Sequence, residues 1–362
     1  MTDIERKKLR VLIIDDSAFM RRLISDMLSD DQNIEVADTA RNGKEGLEKA
    51  KLLNPDIITL DVEMPIMNGL ETLEELMKLT PVPKVIMVSS LTYEGGEATI
   101  KALELGALDF ITKPTTAIIN YDADHIKAEL IKKINLIGKS RIKPTPPPAR
   151  LAEQATVVKK TVLPVSSTDR RLKYIVAIGT STGGPRALQD VLPKLPGDVP
   201  AAFLVVQHMP PGFTKSLSER LNSLSQINVK EAEDGDVLQP GWAYIAPGDY
   251  HMVINKYGGD SYRISINKEP PVTGHRPSVN VMMNSVAECG HRNTIAVMMT
   301  GMGNDGSDGI LNIKNKGGKT IAQDENTCVV YGMPKSAVKA GAIDTITPLQ
   351  NITAEILKNM GV

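Results

Sequence analysis

The strongest constraint on the fold is an alternation in the first 130 residues. Short apolar, β-rich runs stand at 11–14 (VLII), 34–37 (IEVA), 56–60 (DIITL), 84–90 (KVIMVSS) and 109–112 (DFIT). Between and after them lie segments with helical periodicity at 19–28, 44–53, 70–79 and 98–105, then the amphipathic stretch HIKAELIKKINLI at 125–137. Runs that are apolar on both faces must be covered on both sides, and strands separated by helices pair in parallel. The pattern predicts a doubly wound α/β domain with five parallel strands.

A second set of runs follows at 174–178, 201–207, 242–246, 262–266, 294–300 and 319–323. It predicts another α/β domain over 172–362, with a mainly parallel sheet and an antiparallel portion near 230–270, where helical signal is weak. Between the two sets, 131–171 reads as a linker. From residue 138 onward it carries a proline cluster, several basic residues and no sustained apolar period. A chain of 362 residues, 41% of them apolar, is long enough for two such cores.

Charge narrows the partners. Lys and Arg number 42 against 43 Asp and Glu, a net charge of -1, so no overall positive field holds a nucleic-acid backbone, and no basic recognition helix is present. Nucleic acid is not expected as a partner. Cys289 and Cys328 stand far apart in no metal-ligand spacing, in keeping with a reducing compartment. The charged N-terminus leads straight into a strand-like run and no window approaches eighteen consecutive apolar residues, so a cytoplasmic protein that is not membrane-inserted is expected.

In the first domain Asp15 and Asp16 follow the first strand, Asp61 the third, Ser89 the fourth and Lys113 the fifth. The carboxyl ends of parallel strands in an open sheet converge on one crevice. Three carboxylates there repel one another unless a hard cation such as Mg²⁺ offsets them, and a carboxylate beside a cation and a lysine can attack a phosphoryl group. Each acid taken singly is as well explained as a helix cap or a solvated charge. As a set, the stretches LIIDDSAFMR, LDVEMPIMNGLE, MVSS and DFITKP resemble the receiver domains of response regulators, over 9–130. That resemblance implies a flavodoxin-like (βα)5 fold with Asp61 as phospho-acceptor. It further implies Mg²⁺ held by Asp15, Asp16, Asp61 and the backbone of Glu63, with Lys113 and Ser89 on the phosphoryl group and Phe110 as the switching aromatic.

In the second domain, YIVAIGTSTGGP places Ser181 in a turn between a strand and a helix whose first turn holds Pro185. A tight turn of small residues would account for it, and a helix N-terminus beside it also favours an oxyanion. A hydroxyl nucleophile needs a base. Of the five histidines, His125, His251 and His291 have no distinguishing context, whereas His208 closes the run AAFLVVQ; His275, in TGHRPSVN, is the reserve. TIAVMMTGMGNDGSDG then brings Asp305 to the end of a third strand to orient the imidazole, and glycines around Met302 leave backbone N–H groups for an oxyanion.

The segments AIGTSTGGP, VVQHMPPGFT, AYIAPGDYH, HRPSVN and MTGMGNDGSDG resemble the catalytic domain of chemotaxis-specific protein-glutamate methylesterases, over 172–358. The resemblance implies a serine hydrolase with Ser181 as nucleophile, His208 as base, Asp305 as orienting acid and the Met302 backbone as oxyanion donor. It implies methyl-accepting chemoreceptors as substrate, deamidation of certain receptor glutamines, a chemotaxis histidine kinase as phosphodonor, and no cofactor in the catalytic domain. Asn280 departs from the pattern, where the family commonly has aspartate, which touches local substrate contacts and not the triad. The alternative reading makes the second domain a non-catalytic nucleotide- or partner-binding module with 179–184 as a phosphate loop. It lacks the strand-end acid about twenty residues beyond the glycines that such a loop calls for.

Overall fold

Ser17, Asn42, Asn68 and Thr92 each accept a backbone N–H through the side chain at the start of a helix, and these four caps set the rhythm of the first unit. The computed structural model describes residues 8–90, 92–113, 116–140 and 171–362, so 141–170, most of the predicted linker, lies outside the described residues. The chain divides into two compact units, Met1–Glu153 and Gln154–Val362.

The first unit runs β1 (Leu9–Ile14), α1 (Ala18–Ser29), β2 (Ile34–Ala40), α2 (Gly43–Leu53), β3 (Ile57–Asp61), α3 (Gly69–Leu76), β4 (Lys84–Ser89), α4 (Tyr93–Leu105), β5 (Asp109–Thr112) and α5 (Thr116–Lys139). All five strands pair in parallel in the order β2-β1-β3-β4-β5, the flavodoxin-like arrangement, with the order reversing beside β1. Val11, Leu12, Ile13, Ile57, Ile58, Leu60, Val85, Ile86 and Met87 are fully buried, as two-sided apolar strands require. Two helices outrun their sequence signal. Helix α4 starts at Tyr93 because Thr92 caps it, two glycines having hidden the first turn. Helix α5 reaches Lys139 with Ile134 and Ile137 fully buried, so 131–139, placed inside the linker bounds although the amphipathic stretch runs to 137, is helical and packed. The Lys84 ammonium seals its end by donating to the carbonyls of Ile137, Gly138 and Ser140.

The second unit runs β6 (Tyr174–Thr180), α6 (Gly184–Val191), β7 (Ala201–Gln207), α7 (Phe213–Leu224), β8 (Asn228–Glu231), β9 (Trp242–Ile245), β10 (His251–Lys256) and β11 (Tyr262–Asn267). It continues with α8 (Val279–Glu288), β12 (Thr294–Met298), α9 (Ser307–Asn315), β13 (Lys319–Gln323), α10 (Met333–Lys339), β14 (Thr345–Thr347) and α11 (Ile352–Met360). Seven strands form one parallel sheet in the order β14-β13-β12-β6-β7-β9-β8. The antiparallel portion is narrower than the sequence predicts: only β10 and β11 form it, as a separate hairpin, while β8 and β9 belong to the parallel sheet. Helix α8 joins the two layers, since Met282, Met283 and Val286 share one buried cluster with Ile254 and Ile264 of the hairpin and Met298 of the sheet. Among the described residues no helix is long and apolar enough to cross a membrane.

Candidate functional site

The first unit gathers its predicted residues at one sheet edge. Asp61 is the last residue of β3, Asp15 follows β1, and Lys113 follows β5. Lys113 Nζ lies 2.7 Å from Asp61 Oδ2 and 3.6 Å from Asp15 Oδ2, with both aspartates 1% exposed. Asp16 is exposed, and the carboxylate oxygens of Asp15, Asp16 and Asp61 come within 4.8 Å of one another. Burial pushes the Asp61 carboxyl up to about 6; the Lys113 ammonium opposes this and the Asp15 charge adds to it. Asp15 is likewise raised, first by burial. Its Oδ2 is buried without a hydrogen-bond partner. A hard-oxygen donor set with an unmatched lone pair fits a divalent cation.

The other predicted residues of this unit follow or lie on β3, β4 and β5. The Glu63 N–H donates to Asp61 Oδ1 at 3.3 Å. Ser89 ends β4 fully buried, and its hydroxyl donates to the Gly95 carbonyl at 3.1 Å. Phe110 is buried in β5 under the Lys133 ammonium, 5.5 Å from the ring centroid.

In the second unit β6 and β7 pair up to Thr180 and Gln207, so Ser181 and His208 are the next residues along neighbouring strands. The His208 N–H donates to the Thr180 carbonyl at 3.2 Å and the Ser181 N–H to the Thr300 carbonyl at 3.0 Å. Both demands on the Ser181 turn are visible. The turn needs small residues: Gly183 has φ 76°, and a Cβ on Gly184 would meet Gln207 Oε1 at 2.0 Å. Yet Ser181 is half-buried and, among the described residues, its hydroxyl has no hydrogen-bond partner, so the turn does not use that group.

His208 Nε2 lies 2.8 Å from Asp305 Oδ2, and Nδ1 is buried without a partner. A carboxylate only accepts, so Nε2 carries the proton and Nδ1 keeps the lone pair. Asp305, 1% exposed, also accepts from the Ser278 hydroxyl at 2.8 Å and from the Val279 and Asn280 N–H groups at 2.7 and 3.1 Å, at the N-terminus of α8. Burial would raise the Asp305 carboxyl, but the hydrogen bond and charge of His208 and the Ser278 and Val279 bonds override it and bring it down to about 2. The Met302 N–H has no hydrogen-bond partner among the described residues.

Several residues escaped the sequence reading. Ser278 and the start of α8 hold the acid. Gln207, 2% exposed, donates from Nε2 to the carbonyls of both Ser181 and His208 at 3.0 Å. The signal was there in part: a glutamine buried in an otherwise apolar run needs a partner. Asn280 is buried, and its Oδ1 accepts from the Gly309 N–H at 2.9 Å. Of the unassigned histidines, His251 is a satisfied core residue, taking the Ser278 N–H on Nδ1 at 3.2 Å and facing the Pro270 carbonyl through Nε2 at 3.1 Å. His291 lies at Tyr262 and the Lys173 carbonyl, and the His125 side chain lies outside the described residues. His275 is beside His208, their ring centroids 3.9 Å apart.

Residues 11–119 match the family described as response regulator receiver domain, and residues 176–356 the family described as CheB methylesterase. A protein-glutamate methylesterase/protein-glutamine glutaminase of Pyrococcus horikoshii is 47% identical over 356 residues, covering 97% of this chain and 94% of that one. The protein of the same description from Halalkalibacterium halodurans is 48% identical over 351 residues, covering 97% and 98%. The crystal structure of the Thermotoga maritima CheB methylesterase catalytic domain is 46% identical, covering 51% of this chain and 97% of that chain at a TM-score of 0.49. With both family matches and near full-length identity of this order, the chain belongs to the protein-glutamate methylesterase/protein-glutamine glutaminase family, a response regulator receiver domain joined to a CheB methylesterase domain.

Proposed function

We propose that the chain is a phosphorylation-activated serine hydrolase that removes methyl groups from glutamate methyl esters of chemoreceptors and deamidates receptor glutamines, in the cytoplasm. One observation carries the reading: His208 is engaged by Asp305 through Nε2, and its lone-pair nitrogen stays unpaired one strand away from the unbonded Ser181 hydroxyl. Nδ1 takes the Ser181 proton as Oγ attacks the ester carbonyl carbon. The Met302 N–H, which has no partner among the described residues, and the N-terminus of α6 would bind the oxyanion, a contribution of roughly 3 to 4 kcal/mol where single donors have been removed in other hydrolases. Collapse breaks the carbonyl–methoxy bond, and the His208 proton leaves with methanol. Water then attacks the acyl-enzyme, Nδ1 takes its proton, and the glutamate carboxylate and the Ser181 hydroxyl are restored. With a glutamine side chain the leaving group is ammonia. No cofactor takes part in these steps.

In the receiver, Asp61 is the acceptor of a phosphoryl group from a histidine kinase, Oδ forming the new P–O bond as the donor's P–N bond breaks. Lys113, whose Nζ lies 2.7 Å from Asp61 Oδ2, would offset the incoming charge. Asp15, Asp16, Asp61 and the Glu63 backbone would hold Mg²⁺, which supplies charge neutralisation at the phosphoryl oxygens. Ser89 and Phe110 would then turn toward the phosphoryl group and carry the change outward.

The test is methanol release from methylated chemoreceptor membranes. Ser181→Ala is expected to fold normally and lose at least about a thousandfold in rate, as triad nucleophile variants do. Asp61→Asn is expected to keep basal activity and lose its rise on phosphodonor addition. A Ser181→Ala variant near wild type would end the reading.

A further inference from the structure

His275 has no role in the chemistry above, yet its imidazole lies flat against that of His208, with centroids 3.9 Å apart and planes inclined by 10°. Among the described residues the His208 ring has one hydrogen bond, from Nε2 to Asp305. A single bond at one edge of a ring fixes a distance and leaves the plane free to pivot about it. The lone pair on Nδ1 lies in that plane, so the pivot decides where the lone pair points.

The His275 platform is itself held. Val272 and His275 exchange both backbone hydrogen bonds, at 3.1 and 3.0 Å, around Thr273 and Gly274 at φ 52° and 80°. The next residue, Arg276, donates from Nε and Nη2 to Asp249 Oδ1 at 3.1 and 2.6 Å and from Nη1 to the carbonyls of Lys268 and Glu269. Asp249 returns its N–H to the Arg276 carbonyl at 3.2 Å. Two residues further on, Ser278 and Val279 bind the Asp305 carboxylate. One continuous segment therefore supplies both the face against His208 and donors to the acid that holds its edge.

We propose that His275 is a positioning residue for the hydrolytic site: its stacked ring fixes the plane of the His208 imidazole, so that Nδ1 stays aligned for proton transfer from Ser181. The inference rests on the assignment of His208 as base. Stacking requires an aromatic face and not an imidazole nitrogen, so the prediction separates a positioning role from a proton-transfer role.

The experiment uses the full-length chain and a peptide carrying glutamate 5-methyl ester, with kcat and KM from methanol release and folding checked by thermal melting. His275→Ala is expected to lower kcat about tenfold or more, because small misplacements of reacting groups are costly, with KM nearly unchanged. His275→Phe is expected to recover most of that loss and His275→Gln none of it. His208 ring protons should lose their upfield ring-current shift in His275→Ala and His275→Gln and keep it in His275→Phe. Should His275→Ala fail to fold, the Phe and Gln pair decides. Wild-type kcat in His275→Gln, or a Phe variant as slow as the Gln variant, overturns the proposal. His208→Ala is run alongside: if it retained activity, the base assignment itself would fall, whatever the His275 variants did.

Discussion

Asp305 Oδ2 stands 2.8 Å from His208 Nε2 while the same carboxylate receives three further donors from residues 278 to 280. The acid is thereby fixed before the histidine binds it, and its bond selects the tautomer. In the best-known serine triads the acid takes Nδ1 and the serine Nε2; here the acid takes Nε2, so the proposed proton transfer from Ser181 falls to Nδ1. Asp305→Asn can offer its amide to Nε2 and stabilise the wrong tautomer. The expected result is a loss of about 10³ to 10⁴ in kcat, by analogy with triad acids elsewhere, with little change in KM. Steady-state methanol release measures it, and a loss below tenfold would show that Asp305 does not orient the base.

Asp61 gives a prediction with a defined sign. Its folded-state carboxyl is raised to about 6 from the ordinary 3.8, first by burial, so folding favours the protonated form. The associated stability is fully present below the unfolded value and is lost as pH rises through about 6. Asp61→Asn removes the charge and should raise the receiver's unfolding transition by a few degrees at pH 7.5. The gain should shrink as pH falls toward 4. Mg²⁺ should stabilise the wild type more than the variant, because ions that bind only the native state raise its stability. Calorimetry with and without the cation reads all three, and an Asn variant less stable at pH 7.5 would contradict the cause assigned to the shift.

Gly301 lies close against the backbone of Ser181, the proposed nucleophile. A Cβ there would lie 3.0 Å from both Ser181 Cβ and Ser181 N, and 2.3 Å from Met333 Sδ. The methionine can swing away, but the Ser181 backbone, tied to Thr300 and Gln207, can only shift. Gly301→Ala should cost about 1 to 3 kcal/mol of stability, the usual range for overpacking. The kcat should fall by about tenfold or more, since Ser181 moves relative to His208. Unchanged kcat with lowered melting temperature would mean that the turn absorbs the methyl group elsewhere.

The strands that place these residues were legible because each is apolar on both faces. AAFLVVQ is buried at every position, and its end marked His208. The strands that were missed lack that signature. NVKE at β8 is an edge strand with only Val229 buried, β10 belongs to a hairpin that exposes Asn255 and Lys256, and β14 is three residues long. Motif residues on strand ends could be read in order along the chain, but what binds them could not. Ser278 reaches Asp305 across 27 residues, and Gln207 reaches Ser181 across 26. Such partners depend on which strand lies beside which, and that is settled by packing rather than by local pattern.

Asn280 tests the one departure from the family pattern. Its Oδ1 accepts from the Gly309 N–H at 2.9 Å and its own N–H donates to Asp305 Oδ1 at 3.1 Å, tying the start of α8 to α9 and to the acid. Aspartate keeps the acceptor. It also puts a negative charge in the first turn of α8, where the helix dipole favours one, at the cost of a second carboxylate near Asp305. Asn280→Asp should therefore fold as well as wild type and keep kcat within about threefold, the two charge effects being of similar size, each about 0.3 to 2 kcal/mol. Asn280→Ala leaves the Gly309 N–H buried and unmatched, which costs about 1 to 3 kcal/mol, and it should lower the melting temperature well below that of the Asp variant. Thermal melts and kcat on the three proteins decide the matter: if the Asp variant falls with the Ala variant, the amide nitrogen of Asn280 and not its oxygen is what the site requires.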